Sequence, residues 1–199
     1  GDNKINGLDR EVVGNIFPKV TGGFSSTLSW KGISLYARFD YALGHTLYND
    51  LAARTLGQYQ GAFNIITEVK DMWSEDNPNS DLPAFYYADQ LAKKNITRSN
   101  NASASRHNNS SRLYEKADYL ALRELTLSWD LPKAWTSKAF IQNASVYVTG
   151  QNLFYVTGYT GTSPEPVLTN SDNNENLYGV DQGRYPTPRT VLFGLSVTF

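Results

Sequence analysis

The chain has 199 residues, with 18 Lys plus Arg against 19 Asp plus Glu, a formal net charge of −1 and no Cys. A near-neutral chain without a basic block gives nucleic acid no electrostatic footprint, and the lack of Cys excludes disulfide scaffolds, thiol catalysis and Cys-based zinc sites. No apolar run reaches the roughly 18 residues of a membrane helix, but 13% aromatic residues among many Asn, Ser, Thr and Gly lean toward β-structure, so a membrane β-barrel has to be sought by its weaker signal of alternating polarity.

In chain order, Asp2-Asn3-Lys4-Ile5-Asn6-Gly7-Leu8-Asp9 comes first. It looks like the second half of a DxNxDGxIxxxD-type calcium loop. Asp2 and Asp9 would be carboxylate ligands and Lys4 would offer its backbone carbonyl, since Ca²⁺ wants several oxygens gathered by one tight turn. Asn3 stands where Gly is usual, so any ion is expected to bind weakly, and a plain polar loop is the simpler reading. No other cofactor is expected.

A strand is predicted over 19–30, with Phe24, Leu28 and Trp30 opposite Ser25, Thr27 and Ser29. The short Lys31-Gly32 link reads as a hairpin turn into a second strand at 32–44. There Ile33, Leu35, Ala37, Phe39, Tyr41 and Leu43 face one way, and Ser34, Tyr36, Arg38, Asp40 and Ala42 the other. A long loop, 46–117, follows; helix-like spacings within Asn49 to Trp73 predict one or two short helices, and the Asn/Ser-rich remainder reads as irregular. A third strand, 119–131, sets Leu125, Leu127, Trp129 and Leu131 against Glu124, Thr126, Ser128 and Asp130. A fourth, 144–152, alternates Val146 and Val148 with Tyr147, Thr149 and Gln151. After a second large loop, 155–189, the last strand at 190–199 is the clearest, with Val191, Phe193, Leu195, Val197 and Phe199 on one face.

The connections alternate between short and long, with every short one on the same side. Loops beyond roughly 12–15 residues are uncommon in globular domains, whereas outer-membrane barrels have short periplasmic turns and long extracellular loops. The expected fold class is therefore all-β: antiparallel C-terminal strands of a large transmembrane β-barrel, a partial barrel whose long extracellular loops contain short helices. On this count the C-terminus is periplasmic. Five strands cannot close a membrane barrel, which needs about eight, so the chain is expected to be the C-terminal segment of something larger, cut within a loop at Gly1-Asp2.

Six stretches then carry a resemblance. They are Gly14-Asn15-Ile16-Phe17-Pro18-Lys19-Val20-Thr21-Gly22-Gly23-Phe24, Asp118-Tyr119-Leu120-Ala121-Leu122-Arg123-Glu124-Leu125-Thr126-Leu127, Gly150-Gln151-Asn152-Leu153-Phe154, Pro164-Glu165, Tyr185-Pro186-Thr187-Pro188-Arg189-Thr190 and Gly194-Leu195-Ser196-Val197-Thr198-Phe199. In this order they resemble the C-terminal region of SusC/RagA-type TonB-linked outer-membrane proteins of Bacteroidetes. The resemblance implies a barrel of the 22-stranded transporter class with an N-terminal plug, in the outer membrane of a Gram-negative bacterium. It also implies import of glycan oligomers or peptides, a SusD-like surface lipoprotein as partner, and TonB engaged through an N-terminal region absent here. The rival reading is a soluble secreted β-sandwich that binds glycans.

The terminal set Val191, Phe193, Leu195, Val197 and Phe199 resembles the signal that such barrels present to the barrel assembly machinery, an edge strand with free backbone groups and one apolar face. Trp30, Phe39, Tyr41 and Trp129 are candidates for aromatic girdles against outer-membrane lipid. His45 and His107, in different segments, are expected to be solvated loop residues that build neither a catalytic triad nor a metal cluster. Arg38, Asp40, Glu124 and Asp130 are expected to be charges lining a wet lumen, and no enzyme activity is expected. Loop groups including Trp73, Tyr86, Tyr87, Asn152, Tyr155, Tyr159 and Tyr178 form the kind of surface on which sugars, peptides or the lipoprotein dock. They leave the substrate-binding residues open.

Overall fold

The computed structural model describes residues 10–58, 64–82, 111–165 and 178–199. Strands β1 (Val20–Trp30), β2 (Ile33–Leu43), β5 (Tyr119–Asp130), β6 (Asn143–Thr157) and β8 (Thr190–Thr198) form one antiparallel sheet in the order β1-β2-β5-β6-β8. A smaller sheet, β4-β3-β7, is built from β3 (Thr46–Asn49), β4 (Tyr114–Lys116) and β7 (Val180–Asp181). Helix α1 (Asp50–Ala53) runs on into a π-helical turn, and α2 (Lys133–Thr136) sits in the link between β5 and β6. No helix among the described residues is long and apolar enough to cross a membrane.

Local chemistry accounts for the ladder. Lys31 and Gly32 both have positive φ, 48° and 84°, the requirement of a type I′ turn, whose twist matches the strands it joins. Each register row then places like with like. Leu28, Leu35, Leu127, Val148 and Phe193 lie side by side across the five strands, as do Trp30, Ile33, Trp129, Val146 and Leu195. The opposite face has rows such as Thr27, Tyr36, Thr126, Thr149 and Leu192, with the Thr126 and Thr149 hydroxyls 2.7 Å apart. Arg38 faces Glu124 across β2 and β5 at 3.9 Å.

The apolar face is uncovered. Leu35 is 37% exposed, Leu127 46% and Leu195 65%, and among the described residues no second sheet packs on them. A sandwich would bury this face, and the described residues supply no second layer for it. The buried clusters lie instead at the loop end: Ala42, Tyr119 and Ala121 with Tyr155 against them, and Leu47, Ala117 and Tyr159. Among the described residues β1 pairs only with β2 and β8 only with β6, so both edges are open and no closed barrel forms.

Three features differ from the sequence expectation. Strand β6 continues to Thr157 rather than stopping at 152, carried past a bulge in which Asn152 takes a left-handed φ of 52°. That bulge breaks the alternation on which the shorter expectation rested. The small sheet was not expected within loops 46–117 and 155–189, because two- to four-residue strands show no readable period. His45 is 1% exposed rather than solvated, and its Nε2 lies 2.8 Å from the Pro164 carbonyl oxygen.

Candidate functional site

The sequence Leu122-Arg123-Glu124 interrupts alternation with two adjacent charged residues, and the strand absorbs them as a bulge. Glu124 pairs with Arg38 and Leu122 with Phe39, leaving Arg123 as the extra residue. Its side chain thereby turns to the polar face. Nε and Nη2 donate to the two oxygens of Asp40 on β2, Nη2 to Oδ2 at 2.9 Å, while Nη1 donates to the Tyr155 hydroxyl at 2.9 Å. Nη2 also reaches Oε1 of Glu165 in the second loop, and the Tyr155 hydroxyl donates to that same oxygen at 2.8 Å. The guanidinium lies 5.3 Å from the Tyr155 ring centroid and 6.0 Å from that of Tyr119. One cation thus fastens β2, β5, β6 and the second loop together through charge-assisted bonds.

A second hub sits beside it on the small sheet. Asp181, 1% exposed, accepts bonds from the Tyr159 hydroxyl at 2.9 Å, the Thr162 backbone N–H at 3.0 Å, the Thr162 hydroxyl and the Gly183 N–H at 3.0 Å. Glu115 on β4 accepts from the Thr160 N–H at 2.9 Å and from Asn49 Nδ2 at 3.0 Å, and Asn49 Oδ1 in turn caps α1 at the Ala52 N–H. With these acceptors satisfied, the bases of both large loops form a single polar rim at one end of the sheet. Below it, Gly22, Gly23, Ser25, Arg38, Asp40 and Arg123 line an open recess that spans β1, β2 and β5.

Burial first, then the charge of Asp181, pushes the Tyr159 phenol well above the usual tyrosine value of about 10. The folded chain therefore keeps this proton where the unfolded chain releases it. The contribution is full below about pH 10 and is lost as pH rises beyond it. Proteolysis of the second loop is expected to accelerate above about pH 10, and Tyr159→Phe should flatten that rise. An unchanged alkaline profile in the variant would show that Tyr159 does not control docking of this loop.

No family model matches the chain. It is 31% identical over its whole length to TonB-dependent receptor P3 of Formosa agariphila, of which it covers 18%, and 30% identical to TonB-dependent receptor P26 of the same organism, of which it covers 19%. Among solved structures it superposes on the RagAB peptide transporter with a TM-score of 0.69 at 28% identity, over 94% of this chain and 18% of that one. The RagAB peptide importer in its closed-closed state gives 0.67 at the same identity. The chain is homologous to a part of the TonB-dependent receptors. It spans about a fifth of the length of the curated relatives it matches. These relatives carry the names of receptors and transporters.

Residues from several of the stretches that resemble this receptor family meet at the loop rim, whereas Gly194–Phe199 runs to the opposite end of the sheet. Asn15 accepts the Thr46 N–H at 2.7 Å, Asp118 accepts the Gly44 N–H at 2.6 Å, and Arg123, Pro164 and Glu165 make the contacts described above. The Asn152 side chain reaches the Pro188 carbonyl at 3.5 Å. Two of the loop tyrosines named as the kind of group on which sugars or peptides dock are engaged in this rim: Tyr159 is 7% exposed and bonded to Asp181, and the Tyr155 hydroxyl is held by Arg123 and Glu165. A tyrosine beside a charged partner is consumed by it, and alternation in the sequence does not reveal such partners. Trp73 and Tyr178 do remain open, at 44% and 36% exposed.

Asp40 and Arg38 both lie on the polar face of β2, where Asp40 is paired with Arg123 and Arg38 with Glu124. Arg123, Glu165 and Asp181 carried no expected site role. The adjacent charges at 123 and 124 were the available sign for the first, and nothing in the sequence distinguishes Asp181 from a solvated loop acid. Val191, Phe193, Leu195 and Val197 share the outward face of β8, and Phe199 follows it, 81% exposed. Asp2, Lys4 and Asp9 lie outside the described residues, as do His107, Tyr86 and Tyr87. Among the described residues no group of three or more metal-ligating side chains occurs.

Proposed function

We propose that this chain is the C-terminal wall of a TonB-dependent outer-membrane importer that takes up peptides or glycan oligomers with a SusD-like surface lipoprotein. The observation that carries the reading is the five-stranded sheet, which among the described residues has one exposed apolar face, one polar face and two open edges. The 11 residues of β2, about ten steps of roughly 3.3 Å from first to last, reach about 33 Å along the strand, or about 25 Å across a bilayer at a tilt near 40°. That is the height of an outer-membrane apolar band, and every outward residue of β2 from Ile33 to Leu43 is apolar. In water such a face would be an aggregation hazard, and in lipid it is the ordinary state.

On this reading the open edges of β1 and β8 receive the remaining strands of the barrel, the short turns and the C-terminus are periplasmic, and the loop rim is extracellular. The rim then sets the height and spacing of the loops that meet the lipoprotein and substrate. The last strand, with Val191, Phe193, Leu195, Val197 and Phe199 outward beside a free edge, suits presentation to the barrel assembly machinery.

The test is uptake in cells carrying the full-length receptor or its deletion, supplied with labelled oligopeptides or labelled glycan oligomers, together with purification of the tagged receptor from detergent-solubilised membranes. Loss of uptake of one of the two labels in the deletion strain, and recovery of a lipoprotein with the tagged receptor, are expected. A receptor recovered from the aqueous fraction as a stable monomer would end this reading.

A further inference from the structure

The end of the sheet opposite the loop rim has a different chemistry. The β1–β2 turn holds Lys31 Nζ 4.7 Å from the centroid of the Trp30 ring. Trp30 is next to Ile33, and Ile33 next to Trp129, on the outward face. Trp129 packs edge-on against Trp135 of α2, with ring centroids 5.8 Å apart. Trp30 is 70% exposed and Trp135 59%. Lys133 begins α2 and Lys138 lies in the turn after it, both exposed. None of Lys31, Lys133 and Lys138 has an ion-pair partner among the described residues; Asp130, at the end of β5, is the carboxylate of this segment.

Trp30 and Trp129 therefore stand in the outward row nearest the short turns, Trp135 packs against Trp129 from α2, and Lys31, Lys133 and Lys138 lie in the two connections beyond that row. We propose that this short-turn rim binds the headgroups of anionic phospholipid, with Lys31, Lys133 and Lys138 taking phosphate oxygens and Trp30, Trp129 and Trp135 lying against the glycerol and upper acyl region. The inference rests on the outward face being in contact with lipid. The occupant is set by continuity and charge together. A ligand that is apolar where it meets Leu28, Leu35 and Leu127 and anionic where it meets the lysines has to be an amphiphile. Free phosphate would use the lysines and have no need of the indoles. An acidic protein would meet the lysines but leave the apolar rows below them uncovered.

The experiment uses the full-length receptor carrying this chain, reconstituted in vesicles of phosphatidylcholine alone or of phosphatidylcholine with phosphatidylglycerol. The readouts are thermal unfolding and the anionic lipid retained on extraction. Wild type is expected to unfold at a higher temperature with phosphatidylglycerol present. Retained anionic lipid should fall by about fivefold for each lysine neutralised in Lys31→Asn, Lys133→Gln and Lys138→Gln. Asn suits the left-handed turn position, and the matching Arg variants at 133 and 138 should keep the effect. Equal retention in the triple variant overturns the inference. So does a stabilisation reproduced by inorganic phosphate alone, or a lysine-dependent acidic protein partner with no lipid effect. A wild-type receptor that fails to enter either vesicle refutes lipid contact itself, whereas entry without headgroup preference refutes this proposal alone.

Discussion

Replacing Arg123 by Ala is expected to destabilise the receptor by about 2–4 kcal/mol and to release the second large loop from the rim. Removing one member of a hydrogen-bonded ion cluster leaves the others desolvated without compensation, which costs several kcal/mol when the site is fully buried. Here the Arg123 side chain is 18% exposed, but Asp40 and Glu165 are 35% and 34% exposed, so water moderates the penalty. The two carboxylates would face each other without their shared cation, and the Tyr155 hydroxyl would lose one of its two partners. Arg123→Lys should restore less than half, because a single ammonium group cannot serve Asp40, Glu165 and Tyr155 with a planar fork. Adding Glu165→Gln to Arg123→Ala should recover part of the loss, since it removes one of the stranded charges. The checks are thermal unfolding of the receptor and limited proteolysis within 155–189. Unchanged values for both in Arg123→Ala would show that the cluster does not hold the loop.

The second large effect separates the two faces of β1. Phe24→Arg is expected to cost about 2–4 kcal/mol in a bilayer, the range for an arginine at mid-depth on a lipid-facing barrel strand, whereas Thr27→Arg should change stability by under about 1 kcal/mol. Phe24 lies opposite Phe39, with rings stacked 5.0 Å apart, about halfway along the apolar face of β2. Thr27 lies opposite Tyr36 on the polar face. Phe24→Leu measures the lost stacking by itself, about 1 kcal/mol, and leaves the remainder to lipid. Denaturant unfolding of the vesicle-embedded receptor reads all three variants. Equal costs for Phe24→Arg and Thr27→Arg would place water on both faces and remove hydrocarbon as the neighbour of the apolar rows.

The amino-acid sequence by itself determined the direction of each side chain in the main sheet. The period of a strand is two, so Leu35 and Ser34, or Phe193 and Gly194, had to face opposite ways wherever the sheet stood. It also determined that the short connections lie at one end, and the order of its motifs was sufficient to suggest the receptor family. Only the tertiary structure decided what the loop-end residues do. Arg123 points to the polar face because of a bulge, and Asp40, Tyr155 and Glu165 reach it from three other segments. Tyr159, His45 and Asp181 are buried by chain far away in sequence. Local alternation is carried by neighbouring residues and can be read along the chain, whereas a hydrogen-bonded hub depends on segments tens of residues apart, whose meeting is set by strand register and loop packing.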